Sequence, residues 1–394
     1  MSRPRDDSLT CVTYFASSYT GRGPGYSCAS ILATFAGAGV RTLFLLPRAR
    51  LPVPAGVERR EALRWPVRRF PWPVAERFAT AAMAREFLRV AREVNAQPKI
   101  AYFWPDVPVQ VVRLARAEGF VTVREMINSF RGSAKRVLDA EYRRIGLEPQ
   151  HGISSASVAE EEEELAEYDY VLASNPLVEA SLVEAGITPD RIIPTSFGWS
   201  PERYPETAPD TAAGARTGLE ALYVGTICVR KGAHLLLDAW EVSRLSGTLT
   251  LAGDIEPILA PQVSRAVGSG RVRHLPYVAD TNRLYRSADF FVFPTFEEGG
   301  PQVTYEAAGC GLPIVTTPAG AARLVVDGEN GHIVSSGSVE ALVAAMTRLA
   351  ADPDSRRRLG AAAAAGARRF DYRIVGRQRA DAMRRVCAAS RSLV

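Results

Sequence analysis

The sequence predicts a two-domain α/β protein in which each domain is a doubly wound parallel sheet covered by helices. A chain of 394 residues is too long for one compact core, which favours two domains. Strand-like and helix-like stretches alternate along most of the chain, and this alternation is typical of parallel sheets with helices on both faces. The alternation lapses over residues 205–218, where Pro, Gly and Ala are frequent, and then restarts, so we expect a linker there.

The first run of elements predicts a domain over residues 1–204. It begins with a strand at 10–15, a glycine-rich loop that contains Gly21 and Gly23, and an apolar helix that ends near residue 36. The next predicted strands and helices, in chain order, are a strand at 40–46, a strand at 99–104, a helix at 107–117, strands at 120–124 and 170–173, a helix at 177–185 and a strand at 191–195.

The second run predicts a domain over residues 219–371, followed by a terminal helix at 372–394. Its predicted strands are 220–224, 247–252, 271–275, 289–293, 313–316 and 331–334, with helices at 234–242 and 282–287. Helices fill most of the remainder, with a break near 351–353. Asp352-Pro353-Asp354 imitates an Asp-x-Asp metal motif, but helix capping explains it better.

Composition excludes several classes of protein. No window approaches the roughly 18 unbroken apolar residues of a membrane helix, and the first residues lack an apolar signal core, so we expect a cytoplasmic protein. The five cysteines form no Cys-x-x-Cys pair and the four histidines show no metal-ligand spacing. We therefore expect no metal and no cofactor. The net charge of +5 is modest, and we expect no nucleic-acid partner.

The segment 59–77, within a stretch at 47–78 that breaks the alternation, is rich in Arg, Trp and Pro. Aromatic side chains between arginines could meet an anionic membrane surface or a charged acceptor. A solvated loop with arginine–aromatic stacking is the alternative, and the sequence favours it. If the first interpretation holds, the protein would be peripheral at the inner face of a membrane.

The most informative stretch follows the predicted strand at 289–293. It carries two acids around a glycine turn and a helix start: Glu298, Gly299, Gly300, Pro301, Gln302, Val303 and Glu306. A strand, a glycine turn and a helix start form an anion site, because the first amides of a helix lack partners within it. Two nearby carboxylates can also bind hydroxyls, so the stretch suits a nucleotide sugar. The alternative is a pair of surface or helix-capping acids.

Two further loops could bind phosphate. The loop after the first strand of the second domain contains Gly225, Thr226, Arg230 and Lys231, and its two cations and helix start suit a diphosphate. An ordinary surface Arg-Lys-Gly is the alternative. The Gly21 and Gly23 loop matches neither the dinucleotide fingerprint nor the Gly-x-x-x-x-Gly-Lys-Ser motif, so glycines of a tight turn are its simpler explanation.

These motifs resemble those of glycosyltransferase family 4, the retaining GT-B enzymes. The family's Glu-x7-Glu motif is matched by Glu298 and Glu306, and its Gly-x5-Lys-Gly loop runs from Gly225 to Lys231 and the following glycine. An Asp-Gly-x-x-Gly pattern at 327–331 also matches. The resemblance is specific over about residues 222–334 and colinear over 168–198, and before residue 150 it rests on strand order and the glycine loop.

The resemblance implies two Rossmann-like domains that face a cleft, with the terminal helix crossing back onto the first domain. It also implies metal-independent, hexosyltransferase-like transfer of a sugar from a nucleoside diphosphate sugar, with retention, in polysaccharide or glycolipid biosynthesis. Arg230, Lys231 and Glu298 would be the catalytic groups, and Glu306 would bind the ribose. The other implied donor-binding residues are Gly225, Thr226, Gly299, Gly300, Pro301, Gln302, Val303, Tyr277, Val278, Gly21 and Gly23.

The chain departs from the family pattern in the acceptor-side domain and in the diphosphate loop. Thr226 stands where many relatives have arginine, and no histidine precedes His151. The acceptor-side candidates in the comparable region are Trp104, Asp106 and Glu125. The acceptor would be a glycan, a lipid-linked glycan or a small molecule. The departures leave open a non-catalytic GT-B binding or scaffold protein; a GT-B phosphorylase is disfavoured because no lysine besides Lys231 suits a covalent cofactor.

Overall fold

The structure is a computed structural model that describes residues 9–94, 98–206 and 218–391. Two parallel sheets dominate it, one of seven strands and one of six. The predicted fold class, with two doubly wound α/β units, is confirmed. The predicted linker at 205–218 lies almost entirely outside the described residues, because 207–217 are not among them.

The seven-stranded sheet belongs to the first half of the chain, and its strands are all parallel. They are β1 Leu9–Tyr14, β2 Val40–Leu46, β3 Glu58–Glu61, β4 Lys99–Phe103, β5 Val121–Glu125, β6 Tyr170–Ala173 and β7 Ile192–Pro194, in the order β3-β2-β1-β4-β5-β6-β7. The helices are α1 Gly23–Leu32, α2 Trp72–Glu93, α3 Val109–Ala117, α4 Arg131–Arg144, α5 Ser155–Ala166 and α6 Pro176–Glu184. All six residues of β1 are buried, as expected of a central strand covered on both faces.

The six-stranded sheet belongs to the second half and is also parallel throughout. Its strands are β8 Leu219–Val224, β9 Gly247–Ala252, β10 Val272–Leu275, β11 Phe290–Phe293, β12 Ile314–Thr316 and β13 Gly331–Ile333, in the order β10-β9-β8-β11-β12-β13. The helices are α7 Ala233–Ser243, α8 Ala260–Gly268, α9 Asn282–Ser287, α10 Gln302–Gly309, α11 Pro318–Ala321, α12 Val339–Ala351, α13 Pro353–Ala367 and α14 Tyr372–Arg391. At the predicted break, Asp352 caps α13 by accepting a hydrogen bond from the Ser355 amide at 2.9 Å.

The terminal helix α14 leaves the second domain and packs on α1, β4 and β5 of the first. Arg379 is its anchor: the guanidinium is buried and pairs with the carboxylate of Glu125 at 2.8 and 3.2 Å. Ala367, at the end of the preceding helix α13, accepts a hydrogen bond at its carbonyl oxygen from the indole nitrogen of Trp199 at 2.9 Å. The crossing implied by the resemblance is therefore confirmed.

The segment 47–78, which breaks the sequence alternation, is partly regular in the structure. It contains the edge strand β3 and the first turns of α2. The strand has the sequence Glu-Arg-Arg-Glu, so it offers no apolar alternation to detect. Pro73 stands in the first turn of α2, where a missing amide hydrogen costs nothing. No helix among the described residues is long and apolar enough to cross a membrane.

Candidate functional site

A cavity of about 350 Å³ lies between the two domains, beyond the carboxyl ends of their strands. We call it the central cavity. From the second domain it is lined by Arg230, Lys231, Glu298, Gly300, Pro301, Gln302 and Val303, and from the first by Gly23, Pro24, Ser27, Ile127, Asn128 and Phe197. The strand-end loops of both sheets therefore meet around one space, and most residues predicted for the donor turn contribute to it.

Lys231 and Glu298 form an ion pair in the central cavity. Lys231 lies just before α7 and Glu298 lies between β11 and α10, and the Lys231 Nζ to Glu298 Oε1 distance is 3.2 Å. Their loops meet because β8 and β11 are neighbours in the sheet. Gly232 allows the two loops to approach each other closely, because its φ is +68° and a Cβ there would overlap the Pro294 carbonyl. Burial alone would raise the pKa of Glu298, but Lys231 and Arg230 lower it, so the carboxylate is ionised.

Arg230 is shared between two acids. Its Nη1 lies 3.2 Å from Glu297 Oε2 and 3.6 Å from Glu298 Oε1. Burial lowers the pKa of Arg230, and the two carboxylates raise it by more, so the guanidinium stays charged. No role was predicted for Glu297 from the sequence, although two adjacent glutamates at this point were a visible signal.

Glu297 also joins the two domains. Its Oε1 accepts hydrogen bonds from the amide and the hydroxyl of Ser129, which follows β5 in the first domain, both at 2.8 Å. Burial raises the pKa of Glu297, while Arg230 and Ser129 oppose that rise. Arg230 is therefore oriented by an acid that is itself fixed by the other domain, so its position depends on how the domains meet.

The glycine turn after Glu298 packs directly on the first domain. Asn175 donates from Nδ2 to the carbonyl oxygens of Glu298 at 3.0 Å and of Gly299 at 2.7 Å, and Ser174 Oγ donates to Gly299 O. A Cβ on Gly299 would overlap the Ile127 carbonyl of the first domain. From the sequence, Gly299 is predicted as a donor-binding residue. In the structure, its missing side chain allows the first domain to pack closely against the turn.

Glu306 is placed differently from the rest of the predicted donor site. It lies on α10, where Tyr285 donates a hydrogen bond to its Oε2 at 3.1 Å. Burial raises the pKa of Glu306, and hydrogen bonds from Tyr204 and Tyr285 lower it. Among the described residues it is not part of the lining of the central cavity. Tyr204 comes from the end of the first domain, so this site too joins the two halves.

Most of the remaining donor-side candidates do not line the central cavity. The lining described above includes Gly23 but not Gly21, Gly225, Thr226, Tyr277 or Val278. A contact across the cleft nevertheless joins two of these loops: the guanidinium of Arg22 lies 4.5 Å from the centre of the Tyr277 ring. The glycine loop of the first domain thus touches the loop that contains the predicted donor-binding residues Tyr277 and Val278.

A second cavity, of about 310 Å³, extends into the first domain and shares Ile127, Asn128 and Arg230 with the central cavity. We call it the side cavity. The acceptor-side candidate Asp106 lines it, and Asp106 Oδ1 lies 3.7 Å from Arg131 Nη2. Glu161, His151 and Glu297 also contribute to its polar lining.

Two acceptor-side candidates predicted from the sequence, Trp104 and Glu125, lie in the buried core instead of at the cleft. Trp104 is fully buried, with its ring packed against those of Phe15, Tyr102 and Phe197. Glu125 is also fully buried, where it pairs with Arg379 and accepts a hydrogen bond from the Tyr102 hydroxyl. Trp104 directly follows β4 and Glu125 ends β5. Glu125 faces the helix layer that α14 completes, and neither side chain lines the central or the side cavity.

Comparison with known proteins identifies the second half of the chain. A family model described as Glycosyl transferases group 1 matches residues 219–352. The second domain belongs to the group 1 glycosyltransferases. This glycosyltransferase domain contains the Lys231 and Glu298 pair and the glycine turn of the central cavity. Phosphatidyl-myo-inositol mannosyltransferase of Mycobacterium leprae (strain TN) is 31% identical over 186 residues, or 44% of this chain and 48% of the relative. The match spans about half the length of that relative.

Solved structures show that the whole chain has the GT-B fold. Sucrose-phosphate synthase from Thermosynechococcus elongatus matches with a TM-score of 0.78 at 18% identity, over 97% of this chain and 100% of that one. HepE from Anabaena in complex with UDP and glucose matches with a TM-score of 0.68 at 17% identity, over 95% and 99%. At these identities the likeness concerns the fold, so the activity of this glycosyltransferase-like chain has to be argued from its site.

Proposed function

We propose that this protein is a retaining glycosyltransferase that moves a sugar from a nucleoside diphosphate sugar to a hydroxyl acceptor. The observation that carries the proposal is the Lys231–Glu298 pair, at 3.2 Å, in a cavity between the two domains. A cation beside a carboxylate suits a donor with a diphosphate on one side and sugar hydroxyls on the other. The HepE structure, which binds UDP and glucose, supports a donor of this class.

The charge of the leaving group would be stabilised mainly by the second domain. Lys231 and Arg230 would supply positive charge, and Gln302 and Val303 in the first turn of α10 line the same space, so the proposed mechanism needs no metal ion. Glu306 would bind the ribose hydroxyls after exchanging its tyrosine hydrogen bonds for them, and the base would lie near Tyr277 and Val278.

In the transfer step, the bond between the anomeric carbon and the phosphate oxygen breaks as the acceptor oxygen bonds to the same face of that carbon. The acceptor proton passes to the departing phosphate. Glu298 would hold the sugar hydroxyls during this front-side attack, and its lowered pKa keeps it an acceptor of their hydrogen bonds.

The acceptor would enter through the side cavity, which adjoins the central cavity at Arg230. Its lining mixes acids with cations, among them Asp106, Glu161, Arg131 and Arg230. Such a mixture offers both donors and acceptors to hydroxyl groups, which suits a sugar or polyol better than a polyanion. The mannosyltransferase relative, named for phosphatidyl-myo-inositol, supports a role in glycolipid or polysaccharide synthesis.

The proposal is tested by a panel of nucleoside diphosphate sugars, each with mono- and oligosaccharide or lipid-linked acceptors. We expect one donor to release its nucleoside diphosphate in an acceptor-dependent way, with retained anomeric configuration by NMR and no loss of rate with a chelator. Binding of nucleoside diphosphates without release from any donor would instead indicate a non-catalytic binding protein. An inverted product would contradict retention, and loss of rate with the chelator would contradict metal independence.

Asn175→Asp should separate domain closure from folding. The Asn175 Oδ1 caps α6 by accepting from the Leu177 and Val178 amides at 2.8 and 3.0 Å, and aspartate keeps this cap. The second carboxylate oxygen, however, would face the carbonyl oxygens of Glu298 and Gly299 and repel them. We expect kcat/KM to fall at least about 10-fold, and the radius of gyration from small-angle X-ray scattering to rise, with the thermal midpoint lowered no more than in the control variant described next.

The matched control for this prediction is Asn330→Asp. Asn330 makes the same kind of contacts, accepting from the Val326 amide at 2.8 Å and donating to Leu324 O at 2.9 Å, but entirely within the second domain. It should leave the radius of gyration unchanged. If both variants expand the protein equally, or if Asn175→Asp keeps full activity, Asn175 does not govern closure.

A further inference from the structure

A surface at residues 64–78 of the first domain combines exposed aromatic side chains with arginines. Trp65 is 77% exposed and Phe78 is 50% exposed, and Phe70 and Val74 are also exposed. We call this the basic-aromatic surface. Several exposed tryptophan and phenylalanine side chains within one short segment mark an interaction site more often than single scattered apolar residues do.

The charge of this surface is strongly positive. Residues 64–78 carry four arginines and one glutamate, an excess of three positive charges in a chain whose net charge is +5. Arg64 and Arg68 are partly neutralised by Glu86 at 3.2 Å and Glu61 at 3.3 Å. Arg69 and Arg77 have no acidic partner among the residues that the structure describes, so their charge is open to an outside ligand.

The surface is held in shape from beneath. Arg48 is buried, and its Nη1 donates hydrogen bonds to the carbonyl oxygens of Arg68 at 3.0 Å and Phe70 at 2.6 Å. Its guanidinium also lies 5.2 Å from the centre of the Trp72 ring. A surface that is already ordered loses little conformational entropy on binding, so several weak contacts with a broad target are sufficient for association.

The position of the surface relates it to the cleft. It follows β3, whose carboxyl end lies at the same edge of the parallel sheet as the loop after β1. Arg48 connects the two directly, because its Nε also donates to Ser18 Oγ at 3.2 Å. That loop continues into Gly23 in the wall of the central cavity. A partner on the basic-aromatic surface would therefore lie at the cleft edge of the first domain.

We propose that the basic-aromatic surface docks on an anionic lipid bilayer. Aromatic rings favour the interfacial zone of a bilayer, and exposed arginines in the same segment attract lipid phosphates. The pairing of unpartnered Arg69 and Arg77 with exposed Trp65, Phe70 and Phe78 meets both requirements. The docking needs no substrate, so it does not depend on the transfer activity proposed above.

The test is co-sedimentation of the full chain, without substrate, with vesicles of phosphatidylcholine alone or mixed with phosphatidylglycerol. We expect binding to the mixed vesicles only, weakened by salt. Arg69→Glu with Arg77→Glu should reduce the partition coefficient at least about 10-fold, and Phe78→Ser alone should reduce it measurably. Arg385→Glu and Val242→Ser change exposed residues elsewhere and should bind as the unaltered chain does.

Three results would overturn the proposal. The unaltered chain could fail to bind mixed vesicles, or the surface variants could bind as well as the controls. The surface variants could also convert a dimer into a monomer in sedimentation equilibrium without lipid, which would show that the surface pairs two copies of the chain. Thermal midpoints close to that of the unaltered chain keep the comparison free of unfolding, because the substituted residues are exposed.

Discussion

Lys231→Ala should reduce sugar transfer at least about 100-fold while the protein stays folded. The lysine is the cation closest to Glu298, at 3.2 Å, and removing one group that stabilises transition-state charge typically costs this much. Arg230 would remain, but it lies 3.6 Å from Glu298 and is also held by Glu297. The loss should appear mainly in kcat, because the charge on the phosphate is greatest as the sugar departs.

The measurement is steady-state kinetics with the donor found in the panel, together with calorimetric binding of its nucleoside diphosphate. Lys135→Ala is the matched control, since Lys135 also pairs with a carboxylate, Asp139 at 2.6 Å, but lines neither the central nor the side cavity. Glu306→Ala is expected to weaken transfer through the donor's ribose. Full activity of Lys231→Ala would contradict the proposed function, and an equal loss in Lys135→Ala would indicate a general effect on folding.

Much of this site could be predicted because it follows from sheet topology. Strands buried on both faces are continuous apolar runs, so β8 and β11 were visible in the sequence. In parallel sheets, functional loops follow the carboxyl ends of strands. Lys231 and Glu298 are 67 positions apart, yet both follow neighbouring strands of one sheet. The local sequence pattern and this general rule were therefore sufficient to predict that Lys231 and Glu298 lie in the same site.

The contacts between domains could not be predicted in the same way. Asn175 carries a clear local signal as the cap of α6. The second role of its side-chain amide, donation to the carbonyl oxygens of Glu298 and Gly299, depends on where the second domain lies. Ser129 likewise has no sequence feature that would pair it with Glu297. These residues were missed because domain docking is set by the shapes of two complete surfaces, which no short window of sequence contains.

The errors at Trp104 and Glu125 have a related cause. The sequence showed that each lies at the end of a strand, but not which side of the sheet its side chain faces. For Glu125, that side is covered by α14, whose Arg379 lies 254 positions away in the chain. A buried carboxylate without a cation is costly, so the placement of Glu125 makes physical sense only once the terminal helix is in position.

Arg379→Met should destabilise the protein by about 3–5 kcal/mol, because it leaves the Glu125 carboxylate buried without its cation. The Arg379 side chain is 1% exposed and that of Glu125 is fully buried, so water cannot replace the lost partner. The free energy of unfolding, from urea titration followed by circular dichroism, is the quantity to measure. Arg384→Met on the same helix is the control: its pair with Asp381 at 3.2 Å is exposed and should contribute less than about 1 kcal/mol.

The double variant Arg379→Met with Glu125→Gln distinguishes a buried charge from lost packing. Glutamine still accepts the hydrogen bond of the Tyr102 hydroxyl but carries no charge, so the double variant should be more stable than Arg379→Met alone. Arg379 also lies 5.2 Å from the centre of the Phe197 ring, which lines the central cavity. If the double variant recovers stability but not nucleotide affinity, the terminal helix shapes the donor site through Phe197 as well as anchoring the fold. Equal destabilisation by Arg379→Met and Arg384→Met would instead show that the ion pair does not anchor α14.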